Sequence, residues 1–220
     1  KAFFLLLLSL NLFITWSIWA KMGKKGTELY VLSGGGWSQT LSADSPTLIK
    51  AVLQVDAFGA MSAFLMAAVA LIAGLAAMAD KDDPLSPSKA GFFLATLAGI
   101  QGIFYSGGIF SLFAFISLSQ VGASGLYHGI IRSGEEFKKL IWYHISRVVA
   151  LLMFLVGSML LYYSYRTTNI AILSTIIKLG TREKFAYALL VSPLLFMFIK
   201  SSTWFLYRSF SSSSFSSRIL

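Results

Sequence analysis

Residues 90–131 read AGFFLATLAGIQGIFYSGGIFSLFAFISLSQVGASGLYHGII and contain no charged side chain. In water, such a run would form an exposed surface prone to aggregation, whereas in lipid it is ordinary. A helix crosses the bilayer core with about 20 predominantly apolar residues. This run therefore predicts that the chain lies within a membrane.

Four further apolar stretches surround this run. The chain of 220 residues is 56% hydrophobic and only 12% charged, whereas an ordinary soluble domain is about 25% charged. The sequence therefore predicts an all-α, polytopic integral membrane helix bundle with about five transmembrane helices and short interfacial helices. The bundle covers residues 1–208, and its predicted spans are residues 2–20, 51–79, 90–120, 141–165 and 185–207.

The connections between these spans differ in character. Residues 21–50 form the longest one, and the glycine run that begins after Ser33 and ends before Trp37 predicts a flexible element rather than a strand or helix. Residues 125–140 and 169–180 mix apolar and charged side chains at helical spacing, which is typical of interfacial helices. Residues 209–220 form a serine-rich tail.

The third stretch is longer than one crossing requires. We expect it to tilt, to bend at Gly107-Gly108 or to project beyond the membrane. Small residues at helical spacing, such as Gly59 with Ala63 and Gly99 with Gly102, predict close packing between helices.

Five crossings would put the two ends of the chain on opposite sides of the membrane. In this arrangement the tryptophans gather on one side, where indole rings favour the head-group region. The predicted interfacial anchors are Trp16, Trp19, Trp142 and Trp204.

The same arrangement predicts a polar layer on that side. Its ionisable side chains lie roughly 7 to 11 Å inside the ends of their helices at 1.5 Å per residue. We expect contact between Asp56 and Arg147, with Lys200 as the competing base. The predicted members of the layer are Gln54, Asp56, Gln120, His144, Arg147 and Lys200.

Two interpretations of this layer remain open. Charges at membrane depth usually face a bundle interior or a wet cavity, which favours a solute or ion site. Alternatively, Arg147 and Lys200 extend to nearby phosphates, and Asp56 forms an interhelical ion pair. The structural interpretation is favoured because the depth is shallow.

Several kinds of chemistry have no support in the sequence. The chain has no cysteine, which excludes disulfides and thiolate sites. His128 and His144 lack a second histidine pair or a carboxylate cluster, so no metal or haem site is predicted. We also predict no catalytic residue, and no cofactor other than bound lipid.

The formal net charge of +9 arises from basic residues dispersed among short connections. This dispersal favours membrane lipids with anionic head groups as partners rather than nucleic acid. The favoured function is a non-catalytic multi-span subunit or accessory protein that packs against other membrane-protein subunits in a larger assembly. One alternative is a transporter or channel component with a small-solute or ion site near Asp56, Arg147 and Lys200. Another is a membrane-embedded, lipid-modifying enzyme that uses His144 or Asp56, although an enzyme is less favoured.

Overall fold

The computed structural model describes residues 2–25, 28–33, 36–38, 51–79, 85–128, 134–176, 180 and 184–192. The helices are α1 (Ala2–Lys25), α2 (Ala57–Ala79), α3 (Pro87–Phe104), α4 (Ile109–His128), α5 (Gly134–Tyr165) and α6 (Ile170–Ile176). The strands are β1 (Glu28–Ser33), β2 (Gly36–Ser38) and β3 (Ala51–Val55). Residues 184–192 are also helical and are called segment 184–192.

Four of these helices are long and apolar enough to cross a membrane. Their candidate spans are Ala2–Met22, Ala57–Ala79, Ile109–Leu126 and Leu140–Tyr165. A helix satisfies its own backbone hydrogen-bonding groups, which lipid cannot do. The predicted fold class, a polytopic helix bundle in a membrane, is confirmed.

The apolar stretch at residues 90–120 is not a single helix. It contains most of α3 and more than half of α4, and the two helices are antiparallel. A Cβ atom on Gly102 would collide with the Phe115 ring, and one on Gly125 would collide with the Phe92 ring. Of the three possibilities for this stretch, the structure shows a change of direction at Gly107-Gly108, and this change is a complete reversal of the chain.

This reversal makes the directions of the main helices alternate. In α1 and α2, Leu8 lies against Gly74 and Trp19 stacks on Phe64, so these two helices are antiparallel. The α3 helix lies along α4 from one end to the other, so it traverses the same layer as α4. Consequently α1, α3 and α5 run in one direction, and α2 and α4 run in the other.

The region between α1 and α2 differs from its prediction. The strands form a three-stranded antiparallel sheet in the order β2-β1-β3. Ser33 pairs with Gly36 and Leu32 pairs with Trp37, so the prediction of a flexible, strandless element is wrong for these residues. The predicted second span is also too long, because residues 51–55 form β3 and the helix starts at Ala57.

The turn between α3 and α4 connects this sheet to the end of α5. On one side of the turn, the backbone N–H of Gln54 donates to the Tyr105 carbonyl oxygen, with 2.9 Å between the two atoms. On the other side, Ile109 N donates to Thr168 O at 2.9 Å, and Ile170 N donates to Gly107 O at 3.0 Å. We call this set of main-chain bonds the turn ladder.

The remaining connections agree in part with the sequence. The α5 helix begins at Gly134, inside the predicted interfacial helix at 125–140. The α6 helix lies within residues 169–180, where a short helix is predicted. The serine-rich tail lies outside the described residues.

Two main clusters of buried side chains hold the bundle together. Phe4, Leu8, Ala70 and Leu97 join α1, α2 and α3. The second cluster joins α4, α5, α6 and segment 184–192 through Ile109, Phe154, Leu161, Leu173, Ala186 and Leu190. The α3–α4 pair therefore stands between two packed groups of helices.

Replacing a glycine at the α3–α4 contact should destabilise the protein. A Cβ atom on Gly99 would collide with the Ser119 backbone, whereas one on Gly91 has open space within 4 Å. We expect Gly99→Ala to lower the free energy of unfolding by about 1–3 kcal/mol, the usual cost of overpacking. Unfolding in mixed detergent micelles, followed by circular dichroism, measures this effect.

Gly91→Ala is the matched control within the same helix. It should be neutral or stabilising by up to about 1 kcal/mol, because alanine favours helix more than glycine does. Equal effects of the two substitutions would contradict close packing of α3 on α4.

Candidate functional site

The structure places the residues of the predicted polar layer at separate positions in the bundle. Asp56 and Gln54 lie at the end of the bundle that carries the sheet, whereas Gln120 lies on α4 and His144 and Arg147 lie on α5. Lys200 lies outside the described residues. The layer as predicted is therefore not a single site among the residues that the structure describes.

Asp56 is the N-cap residue of α2. Its Oδ1 accepts the backbone N–H of Gly59 at 2.6 Å, and its carbonyl oxygen accepts the backbone N–H of Ala60 at 2.9 Å. An N-cap aspartate satisfies a backbone donor that has no partner inside the helix. The sequence alone placed Asp56 five residues inside a helix, but β3 occupies those five residues. The carboxylate therefore has a structural role at the helix end.

Gln54 is a residue of β3 rather than of a helix. It pairs with Leu29 of β1, and its backbone N–H belongs to the turn ladder. Its side chain is half-buried. Gln54 thus contributes through its main chain to the joint between the sheet and the α3–α4 turn.

A second group of polar side chains lies where α4 and α5 meet. Ser124 Oγ lies 3.2 Å from His144 Nδ1 and donates to the Gln120 carbonyl oxygen at 2.6 Å. The Arg147 guanidinium carbon lies 4.1 Å from the centre of the Tyr143 ring, which is a cation–π contact. We call these five residues the α4–α5 polar cluster. It includes three predicted site residues: Gln120 through its backbone carbonyl oxygen, His144 through Ser124, and Arg147 through Tyr143.

Asp56 is far from this cluster. It sits beside Phe104, the last residue of α3, whereas His144 contacts Ser124 near the end of α4. Because α3 and α4 are antiparallel, their register separates Phe104 from the level of Ser124 by roughly 16 Å at 1.5 Å per residue. Arg147 is one turn closer, at roughly 12 Å along the same axis. The predicted contact between Asp56 and Arg147 is therefore not formed, and the Asp56 carboxylate instead bonds to Gly59 N.

The tryptophans are also distributed over both ends of the bundle. Trp16 and Trp19 lie in the second half of α1, whereas Trp142 lies in the first third of α5, which runs in the same direction. The predicted grouping on one side is wrong for these three residues because it assumed a single helix at residues 90–120. Trp142 is 72% exposed. The anchoring role of each ring stays a prediction, and Trp204 lies outside the described residues.

A pair of amide side chains, which the sequence analysis missed, joins α1 to α3. Asn11 Nδ2 donates to Gln101 Oε1 at 2.9 Å, and Gln101 Nε2 donates to Asn11 Oδ1 at 2.8 Å. Gln101 is 7% exposed, and its Nε2 also lies 3.4 Å from the Ala63 carbonyl oxygen of α2. The available signal was the occurrence of an asparagine and a glutamine inside apolar stretches.

These arrangements bond polar groups to one another inside an apolar bundle. In the part of the chain that the structure describes, no three histidine or carboxylate side chains come close enough to hold a metal ion. The α4–α5 polar cluster brings together an imidazole, a guanidinium and a hydroxyl group. These groups can bind an anion or exchange protons, but no described contact shows a ligand.

Comparisons with known proteins identify the fold and no family. No protein-family description and no curated protein matches the sequence. In fold, the chain is similar to a chain of the membrane-bound sulfane sulfur reductase, an archaeal respiratory membrane complex, with a TM-score of 0.71 and 23% identity. It is also similar to a chain of the Mrp complex from Dietzia sp. DQ12-45-1b, with a TM-score of 0.66 and 18% identity.

Both similarities cover most of this chain but only part of each solved chain. Each covers 88% of this chain, but only 38% of the reductase chain and 35% of the Mrp chain. The chain thus spans little more than a third of the length of these two solved chains. At this level of identity the comparison shows the fold alone.

Substitutions of Asp56 should distinguish a helix-capping role of its side chain from an ion-binding role. Asparagine is about as good an N-cap as aspartate, whereas alanine costs about 1 kcal/mol. We therefore expect Asp56→Asn to unfold within about 0.5 kcal/mol of the original protein and Asp56→Ala to be destabilised by about 1 kcal/mol. Unfolding in mixed micelles tests this, and an equal loss in both variants would show that the charge itself matters.

The amide pair should show coupling between α1 and α3. Either Asn11→Leu or Gln101→Leu leaves a polar group in an apolar surrounding, so each should lower the free energy of unfolding by about 1–2 kcal/mol. The double variant should lose less than the sum, by about 0.6 kcal/mol, the average coupling between membrane helices, and by at most about 1.7 kcal/mol.

A double-mutant cycle measured by unfolding in mixed micelles gives this coupling. Ser117→Ala is the control, because the Ser117 hydroxyl donates to Phe113 O within its own helix. Strict additivity of the two leucine substitutions would contradict the pair.

Proposed function

We propose that the chain is a non-catalytic, multi-span membrane subunit that packs within a larger membrane assembly. The observation that carries this proposal is the fold likeness to chains of two membrane complexes over 88% of this chain. In both solved chains, the matched helices form a minor part of a longer chain. The matching helices of this chain have exposed outer surfaces that a partner can contact.

Exposed apolar faces on α2 and α5 support contact with a partner or with lipid. On α2, Phe58 is 73% exposed and Ile72 is 68% exposed. On α5, Val148 and Leu152 are each 55% exposed. Faces of this kind require apolar surroundings, which a bilayer or another membrane subunit supplies. Membrane lipids with anionic head groups remain proposed partners of the basic connections.

The geometry gives less support to the alternative functions. A transporter site shared by Asp56, Arg147 and Lys200 is not supported. Asp56 caps a helix, and along the helix axes it lies roughly 12 Å from Arg147. The lipid-modifying enzyme keeps His144 as its candidate group, and that histidine is bonded to Ser124. Neither alternative has an observation that favours it over the subunit.

Co-purification from the membranes of the source organism tests the proposal. The tagged chain, extracted in mild detergent and analysed by native mass spectrometry, should carry another membrane protein at a fixed stoichiometry. A bulky substitution on a partner-facing surface should weaken that complex about tenfold, which corresponds to about 1.4 kcal/mol. A lipid-facing surface should tolerate the same change.

Val69→Trp on α2 and Leu152→Trp on α5 form the matched pair of variants, since both replace exposed apolar side chains. We expect one of them to release the partner while both keep the unfolding midpoint of the original chain. A chain that stays monomeric in mild detergent and retains its cellular function as a monomer would contradict the proposal.

A further inference from the structure

Arg147 is the charged side chain that lies farthest inside the candidate membrane spans. Among the residues that the structure describes, these four spans contain two lysine or arginine side chains, Lys21 and Arg147, and no carboxylate. Lys21 is next to the end of its span, whereas Arg147 is seven residues past Leu140, where the span of α5 begins. At 1.5 Å per residue, the backbone of Arg147 is roughly 10 Å inside that span.

The side chain of Arg147 brings its charge back toward the start of α5. The guanidinium carbon lies 4.1 Å from the centre of the Tyr143 ring, and Tyr143 is one helical turn closer to the start of the span. At the level of Tyr143, the distance to Leu140 along the helix is only roughly 5 Å. The side chain thus extends toward the nearer membrane surface, as long basic side chains do. Because Tyr143 is 9% exposed, packing holds its ring, and the cation–π contact keeps the guanidinium at this level.

The neighbouring side chains of α5 mark this level as a boundary. Toward the start of the helix, Trp142 is 72% exposed and Lys138 is also exposed. Exposed indole rings and basic side chains near the end of a span are typical of the head-group region. Beyond Arg147, the exposed side chains of Val148 and Leu152 are aliphatic, and each is 55% exposed. The guanidinium therefore lies between an interfacial surface and an aliphatic one.

We propose that Arg147 binds the phosphate group of an anionic membrane lipid. Guanidinium groups bind phosphate oxygens through parallel hydrogen bonds and remain charged at any physiological pH. Stacking on Tyr143 uses the flat face of the group and not the N–H groups at its edge, so both contacts are compatible. Arg147 is partly exposed, which gives a ligand access to it. The site goes beyond the subunit role and does not depend on a protein partner.

A lipid is a better source of this phosphate than the aqueous phase. Inorganic phosphate would lose its hydration on entering surroundings that are partly apolar, and burying a charge in this way is costly. The phosphate of a lipid is already held at the head-group boundary by its own acyl chains. In this arrangement, an acyl chain of the bound lipid lies along Val148 and Leu152.

Lipid titration followed by native mass spectrometry tests the site. The full chain, purified in mild detergent, is titrated with phosphatidylglycerol, and the fraction of protein that carries one lipid gives an apparent Kd. We expect Arg147→Gln to raise this Kd about tenfold, the effect of losing about one charge-assisted hydrogen bond. Arg147→Lys keeps the charge but loses the planar arrangement of donors, so its Kd should lie between the two.

Lys138→Gln is the matched control, because it removes one positive charge from an exposed position of the same helix, outside the span. It should change the Kd by less than about twofold, since exposed charges contribute little. Equal losses in Lys138→Gln and Arg147→Gln would overturn the proposal in favour of a general attraction between a basic chain and an anionic lipid.

Competition with inorganic phosphate distinguishes the two sources of the anion. A large excess of inorganic phosphate should leave the bound lipid in place, whereas displacement of the lipid would assign the site to free phosphate and overturn the lipid proposal. An unchanged Kd in Arg147→Gln would also overturn it.

Circular dichroism establishes whether each variant keeps the unfolding midpoint of the original chain. If Arg147→Gln does not, Arg147→Lys decides the outcome. A Kd for Arg147→Lys equal to that of the original chain would then overturn the proposal, and a raised Kd beside an unaffected Lys138→Gln would support it.

Discussion

The close approach of α3 and α4 is the contact on which the bundle depends. Lipid tails are as apolar as leucine side chains, so helices in a membrane associate through packing and hydrogen bonds rather than through exclusion of water. Glycines at Gly99, Gly102, Gly122 and Gly125 remove the side chains that would otherwise keep these helices apart. The pair holds α1 and α2 on one side and α5 and α6 on the other.

Several polar groups inside this bundle are bonded locally or across one helix contact. The hydroxyls of Thr15 and Ser158 donate to carbonyl oxygens of their own helices. The Asn11–Gln101 pair does the same between two helices. These bonds pair polar groups inside the bundle, and the outer surface is largely apolar. Such a surface suits contact with lipid or with other membrane subunits, as the proposed subunit role requires.

Composition and apolar length were enough to predict the membrane class and most helix positions. They could not reveal the reversal inside residues 90–120, since hydropathy is the same whether such a run continues or folds back. The informative signal was the combination of Gly107-Gly108 with glycines at helical spacing on both sides. The helix prediction for residues 51–55 was wrong for a related reason, because a short apolar run does not distinguish a strand from a helix.

The site predictions depended on that same helix count. His144 approaches Ser124, which lies one turn beyond Gln120, because α4 and α5 are neighbours under either count. Asp56 was assigned to their level because one helix was missing from the topology. The pairing of Ser33 with Gly36 was also missed, although two glycines between short β-forming runs are a hairpin signal.

The turn ladder gives the two ends of the bundle different mechanical properties. At this end, main-chain hydrogen bonds tie the sheet, the α3–α4 turn and the start of α6 into one backbone layer. Sliding any of these segments past another would expose peptide groups, which is costly near lipid. The sheet, the α3–α4 turn and the start of α6 therefore resist sliding past one another, whereas the opposite end of the bundle has no such main-chain layer among the described residues.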